Sequence, residues 1–286
     1  MANDDRRICS GDLCFDEIGY WSEVKLDIVR KYAQAYSQIL AKKRFEYAYI
    51  DGFAGSGVHL ARSSNEYVPG SPLNALHVVP PFHRYFLVDL DGDKIDQLSG
   101  FPEVKGRADV ALIHGDCNSV LIEQVFPQVR YQDYRRALCV LDPYGLHLNW
   151  EVIETAGKMK SIEIFLNFPI MDMNRNALWR RPDQASAEGQ ARMTAFWGDD
   201  SWRQAAYRQE LTLFGEEEDV KLGNEEVVAA FSERLRSVAG FEFVPQPLPM
   251  RNSTNAVVYY LFFASHQPVA AKIVQEIVNK YKNREG

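Results

Sequence analysis

Residues 22–43 repeat apolar side chains at helical spacing, with Val24, Ile28, Tyr32, Ala35 and Ile39 on one face and Ser22 placed to cap the start. A short aromatic and β-branched run follows at 46–51. Four more apolar runs of strand length come later: Arg84–Asp89, Ala111–His114, Ala137–Leu141 and Ile162–Asn167. Helical stretches lie between them. One begins at Ser71-Pro72, with serine as cap and proline in the first turn; others begin at Val120 and run near 150–158. Continuous apolar strands alternating with helices predict an α/β fold, doubly wound, with a mostly parallel sheet covered on both faces. The first four strands each end in an acid: Asp51, Asp89, Asp116 and Asp142. In such sheets the carboxyl ends of the strands form the ligand-binding rim, so all four acids fall on one edge of the molecule.

The pattern changes after residue 170. Residues 171–215 carry Trp179, Trp197 and Trp202 among polar helical stretches and predict a helical insertion. Glu216–Asp219 is an acidic run of the kind that stays solvated. An amphipathic helix is expected over 224–238. Two strands, Phe241–Val244 and Val257–Phe263, are expected to form an antiparallel pair joined by a proline-rich loop, before a last helix over 268–281. The connection from Gly57 to Gly70 is about a dozen residues longer than a usual strand-to-helix turn. It reads either as a lid at the substrate edge or as a plain surface insertion.

Composition narrows the function classes. Across 286 residues the chain is 46% hydrophobic and 25% charged, enough to bury a core. A net charge of −7 argues against a protein that coats nucleic acid over its whole surface, while allowing a local basic patch. Cys9, Cys14, Cys117 and Cys139 are too few and scattered for a disulfide scaffold, and no second Cys/His pair offers zinc spacing, so no metal is expected. No signal segment opens the chain and no apolar run is long enough to span a bilayer, which predicts a cytoplasmic protein without membrane contact.

The chemistry gathers at the strand ends. Asp51-Gly52-Phe53-Ala54-Gly55-Ser56-Gly57 places an acid and three glycines where a strand turns, letting backbone approach a ligand closely. This stretch resembles motif I of the class I S-adenosylmethionine methyltransferases. On that likeness the turn, Phe53 included, holds the methionine portion of the cofactor and Asp51 meets its ammonium group. Asp89 is placed to accept from both ribose hydroxyls. Asp116 would accept from the adenine amino group with Cys117 beside the ring, or simply cap a helix. Asp142-Pro143-Tyr144-Gly145 is the candidate catalytic stretch. It is similar to the Asp/Asn-Pro-Pro-aromatic motif of amino-group methyltransferases, in which the acid accepts from the target N–H and the aromatic stacks on a planar substrate. Here the second proline is missing and the aromatic comes one place early. His147 is a candidate base nearby. The glycine order, Gly-x-x-Gly-x-Gly, is the reverse of the dinucleotide fingerprint, and the chain holds no Pro-Cys pair for cytosine-C5 chemistry.

Arg175, Trp179, Arg180 and Arg181 could hold phosphates and stack a base. Residues 172–210 nevertheless balance six basic against six acidic side chains, so a helix with its tryptophans inward and its arginines ion-paired fits as well.

Together, Tyr49–Gly57, Gly70-Ser71-Pro72-Leu73 with Ala75-Leu76, the Asp142–Gly145 turn, Asn167-Phe168-Pro169 and a helix carrying Trp21, Lys25 and Tyr32 resemble the three-Cys-motif partner proteins of bacteria. The resemblance spans about residues 20–265. It implies a class I methyltransferase (Rossmann-like) fold, with residues 1–45 as an N-terminal segment and helix and 46–286 as the methyltransferase-like domain. It also implies a partner protein carrying a three-cysteine motif. Two functions follow as expectations. One is an S-adenosylmethionine-dependent methyltransferase acting on a nitrogen of a nucleobase or nucleotide-like acceptor. The other is a catalytically silent subunit of that shape, binding a three-Cys-motif protein or nucleic acid.

Overall fold

The computed structural model describes residues 7–10, 13–211 and 217–281, with residues up to 15 described by backbone alone. Strands β1 (Arg7–Ser10) and β2 (Leu13–Ile18) form an antiparallel hairpin in which Cys9 stands opposite Cys14. Helix α1 (Tyr20–Leu40) follows, starting two residues before the expected Ser22 and flanked by Gly19 rather than a side-chain cap. Then come β3 (Glu46–Asp51), β4 (Val58–Ala61), β5 (Glu66–Pro69), α2 (Ser71–Leu76), β6 (Arg84–Asp89), α3 (Gly92–Ser99), β7 (Val110–His114) and α4 (Cys117–Val120). The middle of the chain supplies β8 (Arg135–Leu141), α5 (Trp150–Met159), β9 (Ile162–Phe168), α6 (Ile170–Asn176), α7 (Ala187–Trp197) and α8 (Trp202–Ala206). It ends with β10 (Tyr207–Leu211), β11 (Glu217–Lys221), α9 (Asn224–Ser237), β12 (Leu248–Arg251), β13 (Val257–Ala264) and α10 (Pro268–Asn279).

Seven strands make the central sheet in the order β12-β13-β9-β8-β3-β6-β7. The five from β9 to β7 run parallel, and β13 pairs antiparallel with both β9 and β12. A parallel sheet closed by an antiparallel pair at one edge is the class I methyltransferase (Rossmann-like) arrangement. Alternation along each strand feeds two cores. Ala48, Ile50, Phe86 and Val88 face a layer built by α5, α7, α8 and α9. Tyr47, Tyr49, Tyr85 and Leu87 face a layer built by α1, α2 and α10. Successive side chains point to opposite faces, so both halves of each strand must be apolar when helices cover both sides.

The structure corrects several expectations. Residues 241–244 form no strand; only Phe243 bridges to Ser265. The partner of β13 is β12, within the stretch expected to be a proline loop. Pro249 is tolerated there because β12 is the sheet edge, where a missing N–H leaves no ladder bond unmade. The insertion after residue 170 is helical as far as Ala206. It then closes in a two-stranded ribbon, β10 with β11, that carries the exposed acids Glu217, Glu218 and Asp219. Within the insertion Trp197 and Trp202 are buried, whereas Trp179 is 40% exposed.

The long connection after Gly57 is a hairpin, β4 with β5. Its β4 pairs parallel with β2, giving a second sheet in the order β1-β2-β4-β5. The N-terminal hairpin and the insert therefore form one unit beside the rim of the main sheet. Among the described residues no helix is long and apolar enough to cross a membrane.

Candidate active site

In the main sheet β8 and β6 flank β3, so the acids Asp142, Asp51, Asp89 and Asp116 lie in that order across the rim. The chain leaves β3 toward β6 on one side and β8 toward β9 on the other, which makes the crevice between β3 and β8 the topological switch point where such folds bind ligands. A cavity of about 440 Å³ opens there. Phe53, Ala54 and Gly55 line it from the turn after β3, and Asp142, Pro143, Tyr144 and Gly145 from the turn after β8. Lys25 of α1, Asp16 and His59 of the small sheet, Asn167 of β9 and Asp172 of α6 complete the inner wall.

The glycines divide the labour of the turn. Gly55 has φ +65°, and a Cβ placed on it would meet nothing within 4 Å, so the backbone here is bare toward the cavity. Gly57, at φ +88°, would drive a Cβ to 2.7 Å from Leu98, so its role is close packing of the turn on α3. Gly52 packs against Leu141 and Leu121 beneath the turn.

Asp51 is wholly buried and does not line the cavity. It accepts from the Phe53 N–H at 3.2 Å and the Tyr49 hydroxyl at 3.3 Å. Burial pushes its carboxyl up to about 6, against hydrogen bonds from Ser71 and Phe53 that favour the charge. Asp89 reaches back to the turn: one oxygen accepts from the Gly55 N–H at 2.7 Å and the other from the Asp91 N–H at 2.9 Å. Asp116 caps α4 by accepting from the Asn118 N–H at 3.0 Å, which is the simpler of its two expected roles. Cys117 is buried in the core, and burial pushes its thiol up to about 12, so it is an inert packing group. Asp89, Asp116 and Cys117 all lie outside the cavity lining, on the open side of the rim toward β6 and β7.

The three residues proposed for catalysis do line the cavity, but two are already engaged. Asp142 receives Lys25 Nζ on one oxygen and Asn167 Nδ2, at 2.8 Å, on the other. Lys25 also lies 5.4 Å from the centre of the Tyr259 ring. Tyr144, about half exposed, donates to Asp16 Oδ2 at 3.3 Å and carries Lys94 over its ring at 5.1 Å, while Lys94 donates to the same Asp16 oxygen at 2.9 Å. Burial alone would raise the Asp16 carboxyl, but the bond and charge of Lys94 outweigh it and hold the group below the usual range. Because Lys94 follows β6 and Tyr144 follows β8, this contact crosses the turn that follows β3. His147 is exposed and does not line the cavity, so it carries no role there.

Three residues of the cavity lining also hold a buried polar atom with unused capacity. Among the described residues His59 Nδ1, Asn167 Oδ1 and Asp172 Oδ2 are buried without a hydrogen-bond partner. Burial and the neighbouring Lys25 hold His59 down to about 4, so its ring is neutral near pH 7. None of these three was assigned a role from the sequence. In the sequence His59 belongs only to the long loop, Asn167 only to the Asn167-Phe168-Pro169 strand end, and Asp172 only to the acids of the insertion, so no pattern gives any of them a place on the cavity lining. Arg175, also on the lining, and the exposed Arg180 and Arg181 have no carboxylate partner among the described residues, and exposed Trp179 lies between them in the chain. Of the ion-paired helix expected as one option, the inward Trp197 and Trp202 are present, and Arg192 and Arg208 pair with Glu188 and Glu210, but Arg175, Arg180 and Arg181 do not take part.

No family model and no curated protein matches the chain. Solved structures with a similar course include a Legionella pneumophila protein described by the family model DUF519, at 13% identity over 90% of this chain and 92% of that one, with a TM-score of 0.47. The N-methyltransferase NodS of Bradyrhizobium japonicum, solved with S-adenosyl-L-homocysteine, shares 10% identity over 87% and 89%, with a TM-score of 0.39. TYW2 of M. jannaschii, solved with AdoMet, shares 9% over 92% and 86%, with a TM-score of 0.35. The fold assignment rests on the strand order and directions given above.

Proposed function

We propose that the protein is an S-adenosylmethionine-dependent methyltransferase acting on a nitrogen of a nucleobase or nucleotide-like acceptor. One observation carries the reading: a single cavity at the switch point joins the bare backbone of Gly55 to Asp142, Pro143 and Tyr144. The residues present fit the cofactor. The turn from Gly52 to Gly57, held in shape by Asp89, takes the methionine end, and Asp51 beneath it supplies negative charge. The rim from Asp89 to Asp116 takes the nucleoside. When bound, the cofactor supplies an electrophilic methyl group on a sulfonium, which needs alignment more than activation. The chain's own task is to seat the acceptor nitrogen against that methyl, shield it from water with the small sheet, and give its departing N–H proton an outlet. NodS and TYW2, by their descriptions, are seen with the cofactor product or the cofactor; here the same ligand is part of the proposal. Isothermal titration with S-adenosylmethionine tests it: absence of binding by the wild-type protein sinks the reading.

A second reading keeps the fold and drops the turnover: a methyltransferase-shaped subunit that binds a three-Cys-motif protein or nucleic acid. It is favoured by the neutralisation of Asp142 by Lys25, which occupies the group that would orient the acceptor. Arg175, Arg180 and Arg181, without carboxylate partners among the described residues, and exposed Trp179 suit a nucleic-acid strand in either reading. Transfer of labelled methyl to RNA or DNA would remove the silent alternative.

A further inference from the structure

The hairpin of β1 and β2 sets the two N-terminal cysteines against each other. Cys9 is the register partner of Cys14, and Ser10 is that of Leu13, which leaves Gly11 and Asp12 as a two-residue loop. Gly-Asp is a pair that such loops favour. A two-residue loop closes on a pair that exchanges both backbone hydrogen bonds, so the next pair, Cys9 with Cys14, is of the kind that exchanges none. Directly opposed residues share a face of the hairpin, and at such a position their Cα atoms stand about 4.5 Å apart. That lies inside the window of roughly 4.4–6.8 Å that a disulfide spans. The other two cysteines differ: Cys117 and Cys139 are buried in one core layer, and burial pushes both thiols up, Cys117 to about 12.

We propose that Cys9 and Cys14 form a reversible disulfide that locks β1 to β2. The oxidant is a low-molecular-weight disulfide of the glutathione class. One cysteine thiolate attacks it, its S–S bond breaks, and one thiol of the reagent leaves; the second cysteine then displaces the other. One S–S bond is formed and one broken, the cysteine protons and the electron pair end on the two released thiols, and excess thiol runs the exchange backward. A bridge at the short end of the window is of the strained, readily reduced kind, so the pair cycles instead of serving as a permanent staple. Its effect is carried by β2. A two-stranded ribbon is marginal by itself. Here β2 is both the parallel neighbour of β4 and the source of Asp16 on the cavity lining. Cys14 and Asp16 stand at alternating positions of β2 and so share a face. The oxidation state therefore sets how firmly the cover of the cavity is held. It needs neither cofactor nor methyl transfer, so it stands apart from the function proposed above.

Full-length protein is equilibrated with mixtures of reduced and oxidised glutathione, in buffer and in urea, then quenched by alkylation and cut with trypsin. Cys9 and Cys14 fall in one peptide, residues 8–25, because no Lys or Arg lies between Arg7 and Lys25. The bridged form is that peptide unalkylated and lighter by the hydrogens lost. Folded protein is expected to reach half-bridging at a glutathione ratio at least about tenfold less oxidising than the urea-unfolded chain, because a hairpin that places the pair favours the bridge as much as the bridge favours the hairpin. Amide exchange at residues 13–18 and 58–61 is expected to slow at least about tenfold on oxidation. In Cys9→Ser and Cys14→Ser it should be indifferent to glutathione. An equal midpoint in folded and unfolded protein, or persistent glutathione adducts in place of the bridge, overturns the proposal. So do thiols shielded from alkylation with their hydrogens retained, the mark of a bound metal ion, and bridging that leaves amide exchange unchanged.

Discussion

Lys25 on α1 donates to the Asp142 carboxylate across 117 positions of chain, tying the helix that precedes the sheet to the turn that leaves β8. Both side chains are mostly shielded, with relative exposures of 14% and 32%, so the pair sits between a surface bridge and a buried one. Lys25→Met is expected to cost about 1–3 kcal/mol, and Asp142→Asn a similar amount. The double variant should lose less than the sum, because removing both ends leaves no orphaned charge. Urea unfolding of the four proteins measures the coupling, and strict additivity would show that the two groups act separately.

Asp89 holds the glycine turn through the Gly55 N–H. Asp89→Ala removes that acceptor and the one for Asp91, so the turn loses its shape before any ligand arrives. Cofactor affinity is expected to fall at least about tenfold, while Asp89→Asn, which keeps one acceptor oxygen, falls less. Calorimetry on both variants decides the point; equal affinity of the alanine variant and the wild type would mean that the turn holds itself.

Glu163 on β9 is half-buried, accepting from the Tyr32 hydroxyl and from Ser265 Oγ, the latter at 3.0 Å. Burial pushes its carboxyl up to about 7, against those hydrogen bonds, from an ordinary 4.5. The folded protein thus holds this proton over a range where the unfolded chain has lost it. Its contribution to stability is fully present below about pH 4.5 and is lost as pH rises toward 7. Asp51, pushed up to about 6, acts in the same direction. Replacing Glu163 by Gln should flatten the decline in unfolding free energy between pH 5 and pH 8 by roughly 2–3 kcal/mol. Parallel pH profiles for the two proteins would show that this acid does not titrate in that window.

Arg175 on the cavity lining and the exposed Arg180 and Arg181 offer three guanidinium groups without carboxylate partners among the described residues. If they meet phosphates, replacing all three by alanine should weaken binding of a single-stranded RNA oligomer. It should also reduce the slope of log affinity against log salt by about 2, at roughly 0.7 per phosphate on a single strand. Fluorescence anisotropy at several salt concentrations reads both quantities. An unchanged slope would assign the trio to solvent.

The central strands were legible because burial on both faces forces continuous apolar runs, and the strand-end acids follow from where those runs stop. Asp142, Pro143, Tyr144, Phe53 and Gly55 do reach one cavity. The edge strand β12 was hidden by its own composition: Pro249 at an edge obeys a rule that depends on knowing the edge. The hairpin after Gly57 was visible as extra length but not as structure, because β4 is completed by β2, 43 residues earlier in the chain. The same separation hid Lys25, Asp16 and His59, whose meaning lies in what they face. The partners of Lys25 and Asp16 come from α3 and the turn after β8, and no local pattern announces such a meeting.

The small sheet has a consequence for any shortened form of the protein. Strand β4 is sandwiched between β2 and β5, and β2 supplies its parallel neighbour from Asp16 to Ile18. A chain cut to begin at Gly19 would keep both helical layers and the central sheet intact, yet Val58–Ala61 would stand as a naked edge offering unmet N–H and C=O groups to any other strand. Such a truncation is expected to fail by self-association rather than by unfolding. Light scattering that rises with protein concentration while circular dichroism stays unchanged would be its signature.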